Sequence, residues 1–256
     1  MSRLAPLLLL LAAGAAGAQT MLDQEQRLIE IHALLLDLPA VESPGALRPG
    51  QLSAGLEAIT VPLIDGTTGG KRQITASDQT RVFPRPRLAY GLPLPEGYRA
   101  FVGAAYIPPV VVRNISTNYL AGEAGAAFVP GPLRLGLRAY LLHAVAQSPV
   151  TDPSTRDTLR TTSYGADLSG AYVFQMEAFS LTPYAGVGLT HLSGNFKVSS
   201  DEEVLTSAAT VAALHSGLRL LWGARWEGVA ELDYYPGRLM HPNFRLAYLF
   251  DAGPKS

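Results

Sequence analysis

Between Leu133 and Leu141 the chain reads Leu-Arg-Leu-Gly-Leu-Arg-Ala-Tyr-Leu. Every odd position is apolar, and the even ones hold two arginines, a glycine and a tyrosine. A helix would scatter the arginines around its circumference, whereas an extended strand puts both on one face. The final stretch repeats the arrangement, with Phe244, Leu246, Tyr248 and Phe250 alternating with Arg245, Ala247 and Leu249. Turn signals divide the region from Leu52 onward into about ten such segments, at 52–62, 81–91, 98–107, 119–129, 133–146, 161–175, 181–192, 206–221, 225–235 and 241–250. No repeat of 20 to 50 residues is visible, so a propeller or solenoid has no support.

The charges separate a soluble sheet from one that faces lipid. On a lipid face at mid-depth a charge costs about 2–4 kcal/mol, so the strand charges of a membrane barrel must share the inward parity. Glu57 opposes Leu52, Leu56 and Ala58, and Arg99 opposes Tyr98, Val102 and Tyr106. Glu123 opposes Leu120, Ala124 and Phe128, and Asp167 opposes Tyr164, Leu168, Tyr172 and Phe174. His215 and Arg219 oppose Leu214, Leu218 and Leu220, while Arg225, Glu227, Glu231 and Asp233 oppose Trp226, Ala230, Leu232 and Tyr234. The apolar parity also holds aromatics near segment ends, such as Tyr90, Tyr98, Tyr106, Phe128, Trp226, Tyr234, Tyr248 and Phe250, which suit interfacial girdles. The three lysines, Lys71, Lys197 and Lys255, fall outside the strands so drawn.

Each segment is long enough for a tilted strand to cross a bilayer core. Residues 63–80, 108–118, 147–160 and 193–205 form long polar connections, whereas 129–132 and 221–224 are tight. Short turns on one side and long loops on the other mark an outer-membrane barrel. The expected fold is therefore all-β: a transmembrane antiparallel up-and-down β-barrel over residues 51–250, with about ten strands and both chain ends periplasmic. Eight or twelve strands stay open, because Pro84 and Pro86 interrupt one segment and the eighth is long.

Composition narrows the rest. Lys+Arg number 20 against 21 Asp+Glu, which leaves no basic excess for a nucleic-acid binder. With 48% hydrophobic residues the chain is not a disordered one. It has no cysteine, which excludes disulfides and thiolate metal sites. His32, His143, His191, His215 and His241 show no metal-ligand spacing and no phosphate-binding glycine loop is present, so no cofactor is expected.

At the N-terminus Arg3, the apolar run Leu7–Leu11 and Ala16-Gly17-Ala18 form the three regions of a secretory signal peptide, 1–18. Residues 19–50 then read as a periplasmic helix and linker. Leu28, Ile31, Leu35 and Leu38 recur at helical spacing, and Pro39 stops the pattern. The helix, at about 21–38, is expected outside the strand wall, docked against the periplasmic mouth or partly plugging it. Residues 251–256 form a periplasmic tail.

Two short motifs resemble known families. The alternating aromatics that close on Phe250 resemble the C-terminal assembly signal of Gram-negative outer-membrane β-barrel proteins, although six residues, Asp251 to Ser256, follow the aromatic. That resemblance implies recognition by the barrel-assembly machinery and a place in the bacterial outer membrane, among its lipid and lipopolysaccharide. His191-Leu192-Ser193 resembles the His-x-Ser arrangement of outer-membrane lipid A 3-O-deacylases, whose site faces the membrane. In that family an acidic residue orients the histidine, and only Glu202 or Glu203 stands near enough in sequence.

The inward parity collects Arg85, Arg87, Arg99, Arg134, Arg138, Arg219, Arg225 and Arg245 with Glu57, Glu123, Asp167, Glu227, Glu231 and Asp233. Charges this balanced in a confined interior need partners, and the expected role is an ion-pair network that fills a small lumen or lines a narrow pore. The functional expectation is a non-enzymatic outer-membrane barrel of structural or small-solute passage type. The alternatives are a lipid A deacylase-like enzyme using His191 and Ser193, and an adhesion protein acting through its loops.

Overall fold

The structure, a computed structural model, describes residues 21–40, 43–60, 82–112, 115–148, 157–197 and 204–251. The expected signal peptide, most of the expected tail, Lys71, Glu202 and Glu203 lie outside the described residues. Among the described residues one helix, α1 (Met21–Leu35), precedes ten long strands: β1 (Gln51–Thr60), β2 (Val82–Leu92), β3 (Tyr98–Val112), β4 (Ile115–Phe128), β5 (Leu133–Ser148), β6 (Asp157–Tyr172), β7 (Phe179–Lys197), β8 (Val204–Trp222), β9 (Trp226–Tyr235) and β10 (Leu239–Asp251). A two-residue strand, Phe174–Gln175, pairs with the start of β7. Each strand pairs antiparallel with its neighbours in sequence, and β1 closes on β10 from Gln51↔Asp251 to Ile59↔Asn243. The sheet is a closed ten-stranded antiparallel barrel.

The prolines that left the strand count open sit where the ladder is interrupted. Pro84 and Pro86 pair with β1 alone, because β2 meets β3 only from Arg87↔Ala105 to Leu92↔Ala100. Pro108 and Pro109 fall in the register shift between Ile107 and Val110 of β3. Proline has no N–H to give a ladder, so strands keep it at edges and bulges. Strands β5 to β8, of 16 to 19 residues, run further than the alternation marked, and Lys197 is the last residue of β7 rather than a loop residue.

Outward residues form an apolar belt. On β5 it runs from Leu133 to Leu141, on β6 from Tyr172 back to Tyr164, and on β9 from Trp226 to Tyr234; these large side chains are exposed. About nine residues per strand match a bilayer crossing. Tyr98 and Phe128, Tyr172 and Phe174, and Trp226 and Tyr248 make ring contacts at the end with the tight turns.

Residues 21–40 and 43–50 lie inside the wall. Ala33 and Leu34 pack against Leu192, Val211, Ala213 and Tyr235, and Leu38 packs against Ala105, Ile107, Tyr119 and Leu142. Leu47 lies against Ala89 and Leu249 near the tight turns. The chain thus rises through the lumen from β1, and α1 reaches the far end, where Arg238 pairs with Glu30 (2.9 Å) and Arg27 donates to the Gly237 carbonyl (2.7 Å). Docking against the periplasmic mouth is corrected: the segment fills the lumen, further than the partial plug that was the alternative. Ile29, Ala33 and Leu34 of α1 meet the inward, not the outward, parity of β7 and β8. Eight strands already enclose a side-chain-filled interior, and ten leave room for a segment of chain.

Candidate functional site

The inserted segment is held by its backbone. Arg85 donates Nη1–H to the Asp37 carbonyl (2.9 Å), Arg138 donates to the Leu38 and Pro39 carbonyls (both 2.8 Å), and Arg87 also reaches the Pro39 carbonyl (3.2 Å). Three wall arginines therefore clamp three successive peptide groups. Proline at position 39 suits such a place, because it has a carbonyl to offer and no N–H to leave unpaired. Lower in the lumen Arg134 donates to the Gly45 carbonyl (2.8 Å). The chain also passes so close to β2 that a Cβ at Gly91 would run into the Arg48 carbonyl.

Behind these carbonyls the arginines alternate with carboxylates around the wall. Glu57 takes Arg85 (2.7 Å) and Arg87 (2.5 Å), and Glu123 takes both nitrogens of an Arg87 fork as well as Arg138 (3.2 Å). Asp167 completes the row with Arg138 (2.7 Å). Alternate residues of a strand share a face, so β1, β2, β4, β5 and β6 bring these groups into one layer. All are buried.

Asp37 is a buried carboxylate that the segment itself inserts. It accepts hydrogen bonds from the hydroxyls of Tyr140 (2.9 Å), Thr190 (3.2 Å) and Tyr235 (3.4 Å), and from the Leu38 N–H (3.0 Å). The Tyr140 ring lies over Gly165, a position where a Cβ would collide with it.

On β8 to β10 the partners differ. Arg219 binds Glu227 (2.6 Å), and Arg245 lies 3.7 Å from Glu227 and donates to the Ser53 hydroxyl (2.6 Å). Glu231 accepts from the Tyr184 hydroxyl (2.7 Å), and Asp233 accepts from the Asn243 amide (2.7 Å). Glu231 Oε1, Asn243 Oδ1 and His215 Nε2 are buried without a hydrogen-bond partner among the described residues. No group of three or more such side chains able to hold a metal ion occurs among the described residues.

Of the charges assigned to the lumen by parity, Arg99 is half-buried against Gly45 near the tight-turn mouth. Arg225 is a correction. It lies in the exposed turn between β8 and β9 and donates to the Tyr248 hydroxyl on the outer face (3.1 Å). Parity extrapolated one residue past the strand end has no meaning in a turn. Asp37 and the carbonyls of 37–39 escaped the sequence reading, since a carbonyl carries no residue signature. Beside Ala40, Pro44 and Arg99 there is a cavity of about 20 Å³, close to the volume one water centre needs.

No protein-family model and no curated protein matches the chain. Solved structures similar to it include the N-terminal β-barrel domain of Pseudomonas aeruginosa OprF, at 13% identity and TM-score 0.31, over 79% of this chain and 98% of that one. The translocator domain of the autotransporter NalP from Neisseria meningitidis is similar at 11% identity and TM-score 0.44, over 89% and 95%. Ail of Yersinia pestis is similar at 12% identity and TM-score 0.34, over 79% and 100%. These neighbours are Gram-negative outer-membrane β-barrels.

His191 and Ser193 share the outward parity, at the upper edge of the belt. The His191 Nδ1 is 3.0 Å from the Thr210 hydroxyl, and its ring packs on Tyr164 at 4.9 Å. The deacylase resemblance implies a carboxylate in the orienting position. The two acidic residues that could fill it, Glu202 and Glu203, lie outside the described residues.

Proposed function

We propose that the chain is an outer-membrane β-barrel protein of the structural kind, closed by its own N-terminal segment and without enzymatic activity. One observation carries this reading: the clamp of Arg85, Arg87 and Arg138 on the carbonyls of Asp37, Leu38 and Pro39. A guanidinium has five donors and no acceptor, so a buried carboxylate alone leaves part of it unpaired. The inserted carbonyls supply the remaining acceptors, which makes the segment part of the wall's own hydrogen bonding. The apolar belt, nine residues deep and rimmed with aromatics, fits a bilayer core. Its surroundings would be outer-membrane lipid and lipopolysaccharide, reached through the barrel-assembly machinery that the C-terminal motif implies.

Planar-bilayer recording tests the closed lumen. The full barrel is expected to be silent, and a chain lacking residues 21–40 to carry a steady current. Steady current through the full barrel would return the narrow-pore reading. Membrane fractionation with heat-modifiable gel mobility tests the location, and recovery in the soluble periplasm would overturn it. Lipid A mass spectra from cells making the wild type or Ser193→Ala are expected to be the same. Loss of an acyl chain with the wild type alone would show an enzyme.

A further inference from the structure

We propose that the outer face of β5 to β8, just above the apolar belt, is a binding surface for a phosphate-bearing lipid headgroup. This rests on the reading of the barrel as a membrane protein and adds a specific lipid contact to it.

The belt ends sharply on these four strands. Leu141 pairs with Tyr164, Tyr164 with His191, and His191 with Thr210. Above that row the outward residues change character. His143 pairs with Thr162 and Thr162 with Ser193, and the next row joins Arg160, Asn195 and Thr206. Lys197 follows at the end of β7, and Arg160, Asn195 and Lys197 are all exposed. Two residues of a strand advance about 6.6 Å, or roughly 5 Å along the membrane normal at a barrel's tilt. The headgroup layer is about 5–8 Å thick on each side. The first polar rows above the belt therefore lie at the depth of lipid phosphates.

The chemistry is one-sided. Arg160 and Lys197 are cationic, and Ser193, Asn195 and Thr206 offer hydroxyl or amide donors. His143 Nδ1 and His191 Nδ1 are both held at 3.0 Å by threonine hydroxyls, Thr162 and Thr210, so that each ring presents Nε2. Among the described residues no strand carboxylate faces outward on this ledge; Glu30 of α1 lines the same cleft and is engaged by Arg238 (2.9 Å), and the exposed acids Glu96, Glu177 and Asp251 are at the opposite end. The outward residues of β9 and β10 at the same end are Tyr234, Met240 and Pro242, so the donors gather on one side of the barrel. A phosphate monoester is the complement: an anion with several acceptor oxygens, presented at this depth.

The full chain, refolded into phosphatidylcholine vesicles that contain a minor share of phosphatidic acid, is examined by native mass spectrometry for the lipid it retains. Wild type is expected to enrich phosphatidic acid over phosphatidylcholine by about thirtyfold, from two cationic groups near the surface. The double variant Arg160→Gln/Lys197→Gln should fall to within about twofold of no preference. Arg225→Gln, at the other end, should keep the wild-type value. A barrel that inserts but shows no preference, or one whose preference survives the double variant, overturns the headgroup site alone. Loss of the preference to excess inorganic phosphate reassigns the surface to a free anion and overturns the lipid as occupant. Failure of the wild type to enter vesicles overturns the membrane reading and the site with it.

Discussion

Glu57, Glu123 and Asp167 on one flank of the lumen stand between Arg85, Arg87 and Arg138, three acids to three bases, all buried. On the other flank Glu227, Glu231 and Asp233 share Arg219 and Arg245, and two of the carboxylates are met by a tyrosine hydroxyl and an asparagine amide instead. The inserted segment turns its carbonyls toward the first flank. An arginine row cannot be buried on ion pairs alone, because its planar donors outnumber the carboxylate oxygens it can reach. The backbone of 37–39 is the complement that lets three guanidinia sit side by side. On the second flank Glu231 and Asp233 meet only neutral donors and need no such complement, so removing their charge should cost far less.

Arg138→Met should give the largest effect. It deprives Glu123 and Asp167 of a partner, frees the Leu38 carbonyl and leaves Pro39 to Arg87 alone, and breaking a buried pair from one side costs about 3–5 kcal/mol. Urea unfolding in vesicles should show that loss, and bilayer recording should show current through the loosened segment. A change under about 1 kcal/mol would mean that the first flank is no more tightly coupled than the second.

Asp37→Ala comes next, at about 1–3 kcal/mol, since the hydroxyls of Tyr140, Thr190 and Tyr235 lose their common acceptor. Asp37→Asn should cost less. Its amide oxygen still accepts, and a neutral amide costs less to bury than a carboxylate. If the two variants lose equal stability, the charge itself matters and the segment is held electrostatically.

Glu231→Gln and Asp233→Asn should each change stability by less than about 1 kcal/mol, in either direction. The amides keep an oxygen for Tyr184 and Asn243 while relieving the repulsion between neighbouring acids. A loss near that of Arg138→Met would erase the difference between the flanks.

The strands and the inward parity were legible because the side-chain period of two is a strong signal and a membrane forbids exceptions. Glu57, Glu123, Arg138, Asp167, Arg219 and Glu227 follow from it directly. The place of α1 was not legible. Its stripe of Leu28, Ile31, Leu35 and Leu38 fits any apolar groove, and the sequence does not say whether the groove is outside a barrel or within it. Asp37 lay unnoticed beside the helix-stopping Pro39, because its partners come from β5, β7 and β9, more than a hundred residues away.

Arg225→Gln tests the boundary of that legibility and should have the smallest effect. By parity Arg225 belongs with Glu227 and Asp233, where it would supply the base that the second flank lacks. The structure instead puts it in the turn after β8, its guanidinium on Tyr248. A neutral side chain of similar length there leaves every lumen partner in place, so neither the unfolding midpoint nor the silence of the barrel should change. Arg219→Gln is the matched comparison, since Arg219 is buried and binds Glu227 at 2.6 Å. It should lower the midpoint clearly. If Arg225→Gln lowers it as much, Arg225 enters the lumen after all, the second flank gains a third base, and the contrast between the flanks narrows to where the carbonyls of 37–39 point.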